Sequence, residues 1–335
     1  MACLPNLANG RATSASRVNV GVYDWEAFAN AQIETEMIER SFCPSCDEAS
    51  TNTVHASADY TLRRCTKCDL VFADPMLGGD SSYYQAHLVY ANRTALDIQH
   101  ERAHLDSRRC ACMLELTKGG ARTLDIGCGC GAFVAFARDE GRESYGIDFN
   151  DQHIRLGKTV FNLKDSLMIG DILSMPQEWS EFDLVTMFEV IEHLPNPEEV
   201  ISQVYRRLRK GGYLAISCPN EARWQPMGRI FVDYPPHHLT RWTPDCLRGF
   251  LERNSFEHVR TEIDASLRDV LWTAYANRRA RRKSTAPSPT NAATRLRDCK
   301  WALDGILRKL CLPFDAILRG AHVGTMGMRV VVRKV

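Results

Sequence analysis

The stretch that decides the fold is TLDIGCGCGAF, residues 123–133. Gly127, Gly129 and Gly131 alternate with Cys128 and Cys130, and Asp125 stands two positions before the first glycine. A short apolar run leads into the loop, and the apolar helical pattern AFVAFARDEG follows it. Glycines between a strand and a helix let the backbone turn sharply and approach a ligand closely. About 20 residues on, SYGIDFN ends a second strand at Asp148, where a carboxylate accepts hydrogen bonds from ribose hydroxyls. Together they predict a site for a nucleoside-containing cofactor. Cys128 and Cys130 are expected to point away from it and fill the spaces between the glycines, without metal or redox chemistry.

Outward from the loop, apolar runs at Thr123–Ile126, Ser144–Ile147, Leu167–Ile169, Phe182–Phe188 and Tyr213–Ser217 are separated by helix-length segments. That alternation predicts a parallel sheet of strand-helix-strand units. RLRKGGYLAI reads as a helix ending in basic residues and glycine before the next strand. FEHVRTEID and TMGMRVVVRKV would finish the sheet. The expected organisation is an N-terminal tail and helix over 1–40, a cysteine unit over 41–75, a helical linker or lid over 76–120, a core over 121–265, an insertion over 266–322 and a last strand over 323–335.

The loop spacing is G-x-G-x-G, whereas a dinucleotide site reads G-x-G-x-x-G and faces a pyrophosphate. A carboxylate at Asp125 would repel a pyrophosphate and suits a cationic ligand with an amino acid part. At these residues the chain resembles the class I S-adenosylmethionine-dependent methyltransferases, whose first motif is D-x-G-x-G-x-G. The resemblance runs from about 121 to 264 and into the last strand, and includes MIGDIL and FDLVTMFEVIEHLPNP. It implies an α/β, Rossmann-like seven-stranded sheet with helices on both faces. It also implies S-adenosyl-L-methionine as cofactor, held by Asp125, Gly127, Gly129, Gly131, Asp148 with Phe149, Asp171 with Ile172, and Glu189.

CPSC at 43–46 and CTKC at 65–68 are two C-x-x-C knuckles 18 residues apart. Cys43, Cys46, Cys65 and Cys68 at that spacing can close a tetrahedral zinc site, which would supply folding energy to a unit too small for its own core. With four protein ligands the zinc would be structural. The order of the two knuckles, LVFADP and SSYYQAH resembles a group of bacterial methyltransferases acting on sugars and other secondary metabolites. That resemblance implies that the small zinc ribbon shapes the substrate side, with Tyr84 and its neighbour Tyr83 over the cofactor.

Methyl transfer to a hydroxyl or carbon acid needs an in-line approach and a base. The candidates are His238 and His237 in YPPHHLTRWTP, then His193 in EVIEHL, while Arg241 and Trp242 could meet an anionic or ring-bearing substrate. EVIEHL is also similar to ubiquinone-pathway O-methyltransferases. Within the insertion, residues 278–319 combine the basic run RRARRK with an apolar face at helical spacing, which fits either peripheral contact with an anionic membrane or packing on the core.

Lys and Arg total 42 against 41 Asp and Glu, so the overall charge names no polyanionic partner. Nucleic acid is disfavoured further because Asp47, Glu48 and Asp69 interrupt the basic residues of the cysteine unit. An RNA-modifying enzyme and a catalytically silent scaffold are the rival readings. No signal-peptide pattern opens the chain and no run reaches the ~18 apolar residues of a spanning helix, so the expected location is cytoplasmic, with thirteen cysteines kept as thiols or metal ligands.

Overall fold

A computed structural model of the protein describes residues 42–79, 93–223, 233–264 and 327–335. The N-terminal tail and helix, Tyr84 with its neighbours, and the basic insertion lie outside these residues. A small sheet comes first: β1 (Thr51–Ala56), β2 (Thr61–Cys65) and β3 (Val71–Asp74). Helices α1 (Ala95–Ala103) and α2 (Ser107–Leu116) lead into the larger unit. Each starts on a side-chain cap, Thr94 accepting from the Asp97 amide and Asp106 from the Arg108 amide.

The larger unit alternates as expected: β4 (Arg122–Ile126), α3 (Ala132–Asp139), β5 (Glu143–Asp148), α4 (Asp151–Val160), β6 (Leu167–Ile169), β7 (Phe182–Phe188), α5 (Pro197–Arg207) and β8 (Leu208–Pro219). β9 (Thr240–Arg241), α6 (Pro244–Arg253), β10 (Phe256–Ile263) and β11 (Gly327–Lys334) complete it. The seven-stranded sheet has the order β10-β11-β8-β7-β4-β5-β6. Five strands, β8 through β6, are parallel, and β11 runs antiparallel between β8 and β10.

Alternation along the strands divides the core into two faces. Leu184, Phe188, Ala215 and Val331 pack with Met113 of α2 and with Phe133 and Ala137 of α3. Val185, Met187, Leu214, Ile216, Val330 and Val332 join a second layer with Val200, Ile201 and Val204 of α5 and Leu247, Phe250 and Leu251 of α6. Both faces are thus covered, which is why these strands read as continuous apolar runs.

One boundary differs from the sequence reading. The helix before RLRKGG stops at Arg207, and β8 begins at Leu208, ahead of the glycines. Gly211 takes φ +75° within the strand, and a Cβ on Gly212 would lie 2.8 Å from the Phe182 carbonyl oxygen. The glycines therefore bend a strand that has already started.

The cysteine unit is not freestanding. Its sheet has the order β1-β2-β3-β9, and β9 comes from beyond β8, some 165 residues further along the chain. Cys43, Leu70 and Phe72 share a core with Trp242, Leu247 and Phe250. Trp242 is fully buried, and its indole N–H donates to Thr240 Oγ1 at 2.8 Å. Trp242→Ala should lower the unfolding free energy by about 3–5 kcal/mol in denaturant titration, because it empties the seam between the units; a cost under about 1 kcal/mol would mean that the seam carries little of the stability.

Candidate functional site

In the large sheet the chain leaves β4 toward β5 and β6 on one side, and β7 continues to β8 on the other. Ligands of open α/β sheets bind at this reversal, beyond the carboxyl ends of the strands. The glycine loop leaves β4 there, and residues 189–193 leave β7 beside it.

Gly127, Gly129 and Gly131 all take left-handed φ, at +71°, +55° and +74°. Their surroundings differ. A Cβ on Gly127 would strike Val190 Cγ2 at 2.4 Å and one on Gly131 would strike Leu167, whereas one on Gly129 would meet nothing within 4 Å. The middle glycine therefore presents backbone to open space between two packed shoulders, a cradle that a side chain would fill. Underneath, Cys128 and Cys130 are buried; burial pushes Cys130 up to about 12 and Cys128 well above the usual thiol range, so both are inert at neutral pH.

Asp148, at the end of β5, accepts from the Gly129 amide through Oδ2 and from the Asn150 amide through Oδ1, both at 2.8 Å. Burial raises its pKa and the two amides pull it back. It thus ties the loop to the neighbouring strand. Asp125 is buried beneath the loop, 6% exposed, and accepts from Thr186 Oγ1 at 2.7 Å. Burial pushes its carboxyl up to about 7, against the pull of the Thr186 hydroxyl and the Arg109 charge.

Glu189 has φ +58° and is exposed at the end of β7, where Oε1 accepts from Ser217 Oγ at 2.8 Å and from Arg109 at 3.1 Å. Arg109 reaches over from α2, with its guanidinium 4.8 Å from the centre of the Phe188 ring. Phe149 is 43% exposed beside Asp148 and offers an aromatic face at the rim. Asp171 is exposed and caps its own turn by accepting from the Ser174 amide at 2.9 Å, while Ile172 is buried in the main core.

The three candidate histidines come together. The rings of His193 and His238 lie 4.9 Å apart, those of His193 and His237 4.7 Å, and His237 stacks on His238 at 5.0 Å. The 237–240 segment is clamped to the turn after β7 by Leu239 N donating to Glu192 O and Thr240 Oγ1 to Ile191 O. Burial pulls the His193 imidazole down to about 4 and drives His238 further in the same direction, so both rings are neutral at pH 7. Arg241 and Trp242 do not face a substrate: Arg241 is buried and donates to the Asp233 carbonyl from Nε and a terminal nitrogen, and Trp242 is core.

In the small unit, Cys43 Sγ is 3.5 Å from Cys68 Sγ and Cys46 Sγ is 3.6 Å from Cys65 Sγ, with all four sulfurs within 4.8 Å of one another. Four thiolates about 2.3 Å from one zinc stand about 3.8 Å apart, so the set fits that ion. The Lys67 and Cys68 amides point at Cys65 Sγ, at 3.4 and 3.5 Å. Cys246 of α6 sits just behind, 3.9 Å from Ser45 Oγ, and Arg253 holds the first knuckle by donating to Ser45 O and Oγ.

Sequence reasoning missed Arg109, Gly157, Glu192 and Cys246. Glu192 adjoins a candidate base, which was a readable signal. Gly157 lies mid-helix, where glycine is unfavourable without a packing reason, and that reason is the Cys130 carbonyl oxygen, 2.0 Å from where its Cβ would stand.

Residues 98–274 match the family model described as "Methyltransferase domain". A probable S-adenosylmethionine-dependent methyltransferase of Mycolicibacterium smegmatis is 28% identical over 185 residues, 55% of this chain and 62% of that protein. A ubiquinone biosynthesis O-methyltransferase of Psychrobacter cryohalolentis is 25% identical over 51% of this chain and 67% of its own. The chain thus spans about two thirds of the length of these relatives. Among solved structures, phosphoethanolamine N-methyltransferase 2 of Haemonchus contortus, in complex with S-adenosyl-L-methionine, shares the fold at a TM-score of 0.50 and 16% identity, over 78% of this chain and 61% of that one.

The contact beneath the loop can be tested by itself. Gly157→Ala should cost about 1–3 kcal/mol of stability despite its better helix propensity, because the Cys130 carbonyl must move; a neutral or stabilising result in thermal unfolding would show that α4 does not fix the loop.

Proposed function

The chain belongs to the methyltransferase domain family, and from that premise we propose that it transfers a methyl group from S-adenosyl-L-methionine to a hydroxyl of a small-molecule acceptor, a nucleotide- or lipid-linked sugar or a secondary metabolite. The observation that carries this reading is the buried carboxyl of Asp125 beneath the glycine cradle. An acid raised to about 7 by burial is half protonated at neutral pH and is fully recharged by a cationic group, which suits the ammonium of the cofactor's amino acid part and opposes a pyrophosphate. When bound, the cofactor supplies an electrophilic methyl on sulfur.

The chain's own residues do the rest. The Gly127–Gly131 backbone admits the cofactor closely, and Asp148, with one lone pair of each oxygen already used by an amide, has the others for the ribose hydroxyls. Phe149 covers the base, and Glu189, oriented by Ser217 and Arg109, borders the acceptor side. The cluster of His193, His237 and His238 activates the acceptor hydroxyl. The names of the curated relatives, which include O-methyltransferases, support oxygen as the acceptor atom. Cys43, Cys46, Cys65 and Cys68 hold a structural zinc that fixes β2 and β3 against β9, and through β9 the histidine segment.

Incubation with S-adenosylmethionine labelled in the methyl group, with separated sugar-nucleotide, lipid and RNA fractions of the source cell, should place label in sugar or lipid. Label in RNA would overturn the acceptor class, and bound cofactor without label in any fraction would overturn the activity. Cofactor affinity should also depend on pH. Asp125 is protonated below about 7 and must lose that proton to pair with the ammonium. Affinity measured by calorimetry should therefore rise as pH increases from about 5 to about 7, by up to about tenfold per unit. Asp125→Asn should flatten that slope; a wild-type affinity flat over the same range would remove the pairing.

A further inference from the structure

We propose that His193, His238 and Glu192, with His237 beside them, form a second metal site, one that takes a divalent first-row transition cation. Glu192 is 2% exposed, and neither carboxylate oxygen has a hydrogen-bond partner among the described residues. Protein interiors hold buried carboxylates only where they are paired, hydrogen-bonded or bound to metal. What faces this one is imidazole nitrogen: His193 Nε2 lies 3.9 Å and His238 Nε2 4.0 Å from Glu192 Oε1. Those separations are too long for hydrogen bonds. Two donors each about 2.0–2.2 Å from one tetrahedral cation stand about 3.3–3.6 Å apart, so each imidazole need close on the carboxylate by only about half an ångström to share an ion with it. One ring nitrogen from each of His193, His237 and His238 lies within 4.8 Å of the other two, so the three imidazoles can meet on one ion.

The far side of the His193 ring is arranged as it is in metal sites. His193 Nδ1 is 2.5 Å from the His237 carbonyl oxygen, and as the donor in that bond it must carry the proton, leaving a lone pair on Nε2 toward Glu192. Behind His238, the Asp233 carboxylate is 3.8 Å from Nδ1 and is itself fixed by Arg223 at 2.5 Å. Two imidazoles and a carboxylate select a zinc-like cation over magnesium or calcium, which prefer all-oxygen sites. The donor set shares no residue with the four cysteines. Its Glu192 and His193 lie in the turn that also carries Val190, the residue packed on Gly127. A cation there would act on the acceptor oxygen as a Lewis acid, and this clause alone rests on the methyl-transfer reading.

The full chain, stripped with chelator and reloaded with Co2+, tests the site. Two cobalt ions per chain are expected, one with the sulfur-to-cobalt charge-transfer bands of a thiolate site and one with only the weaker bands of nitrogen and oxygen ligands. Glu192→Gln and, separately, His238→Asn should lose the sulfur-free ion and keep the thiolate bands. Cys46→Ser should do the reverse. Wild-type protein that binds only the thiolate-type cobalt would overturn the proposal whatever the variants do, as would Glu192→Gln retaining both spectra. Calorimetry with S-adenosylmethionine on the same preparations separates the two readings. Cofactor binding with a single cobalt sinks the metal site alone, and two cobalt ions without cofactor binding uphold the site and sink the methyl-transfer reading.

Discussion

The Cys130 carbonyl oxygen occupies the space where a side chain on residue 157 would begin, and the rest of the site depends on that close approach. It brings the first turns of α4 against the glycine loop, so Asp148 and Asn150, which immediately precede that helix, reach the loop from β5. A larger residue at 157 would push the loop away, and the hydrogen bond from the Gly129 amide to Asp148 would stretch. On the opposite shoulder Val190 fills the space under Gly127. Three left-handed glycines are therefore less a flexible hinge than a rigid bend clamped at both ends, with one position, Gly129, left facing open space.

A second dependence runs through residues 233–253. Over this span the chain supplies the two stacked histidines, the strand that completes the small sheet, the tryptophan of the seam, and a helix whose Cys246 and Arg253 sit against the first knuckle. Removing order from the cysteine unit would loosen β3, then β9, then the clamp between Leu239 and Glu192 that positions His237 and His238. The ion pair of Arg64 with the buried Glu221 ties the same sheet to the end of β8. This gives the N-terminal unit a physical route to the histidine cluster through β3 and β9.

Much of this was legible in one sequence because its signals are local. The run from Phe182 to Phe188 appears with the expected bounds, since parallel strands buried on both faces are continuously apolar, and the edge strand Leu167–Ile169 keeps its expected bounds although Ile169 is exposed. The glycine loop was legible because strand, glycines and helix follow one another directly. What stayed hidden depends on tertiary approach. Nothing near Gly157 announces that the loop lies against it, and Arg109 is one of two adjacent arginines on its helix until the Phe188 ring is placed beneath it. Arg241 and Trp242 admitted a substrate role and a role in capping or core packing about equally; the structure gives them a bridge to β3 and a seam, so their polar groups are spent on Asp233 and Thr240. Asp171 drew a cofactor role from its position after β6, where an acidic residue serves equally well to cap the next turn.

The ionisable groups around the switch point share one property that no single residue shows. Burial moves acids up and bases down: Asp125 and Glu192 toward the neutral carboxyl, His193 and His238 toward the neutral imidazole. In the free protein the site therefore carries little net charge despite its composition, and the apolar layers packed against both faces of the sheet can close around it. A cation recovers the interaction that these groups have given up, because it ionises the carboxyls and engages the imidazole lone pairs. The cation-binding roles proposed for Asp125 and Glu192 thus draw on the same burial that stabilises the fold, and they require no excess of acidic residues anywhere in the chain.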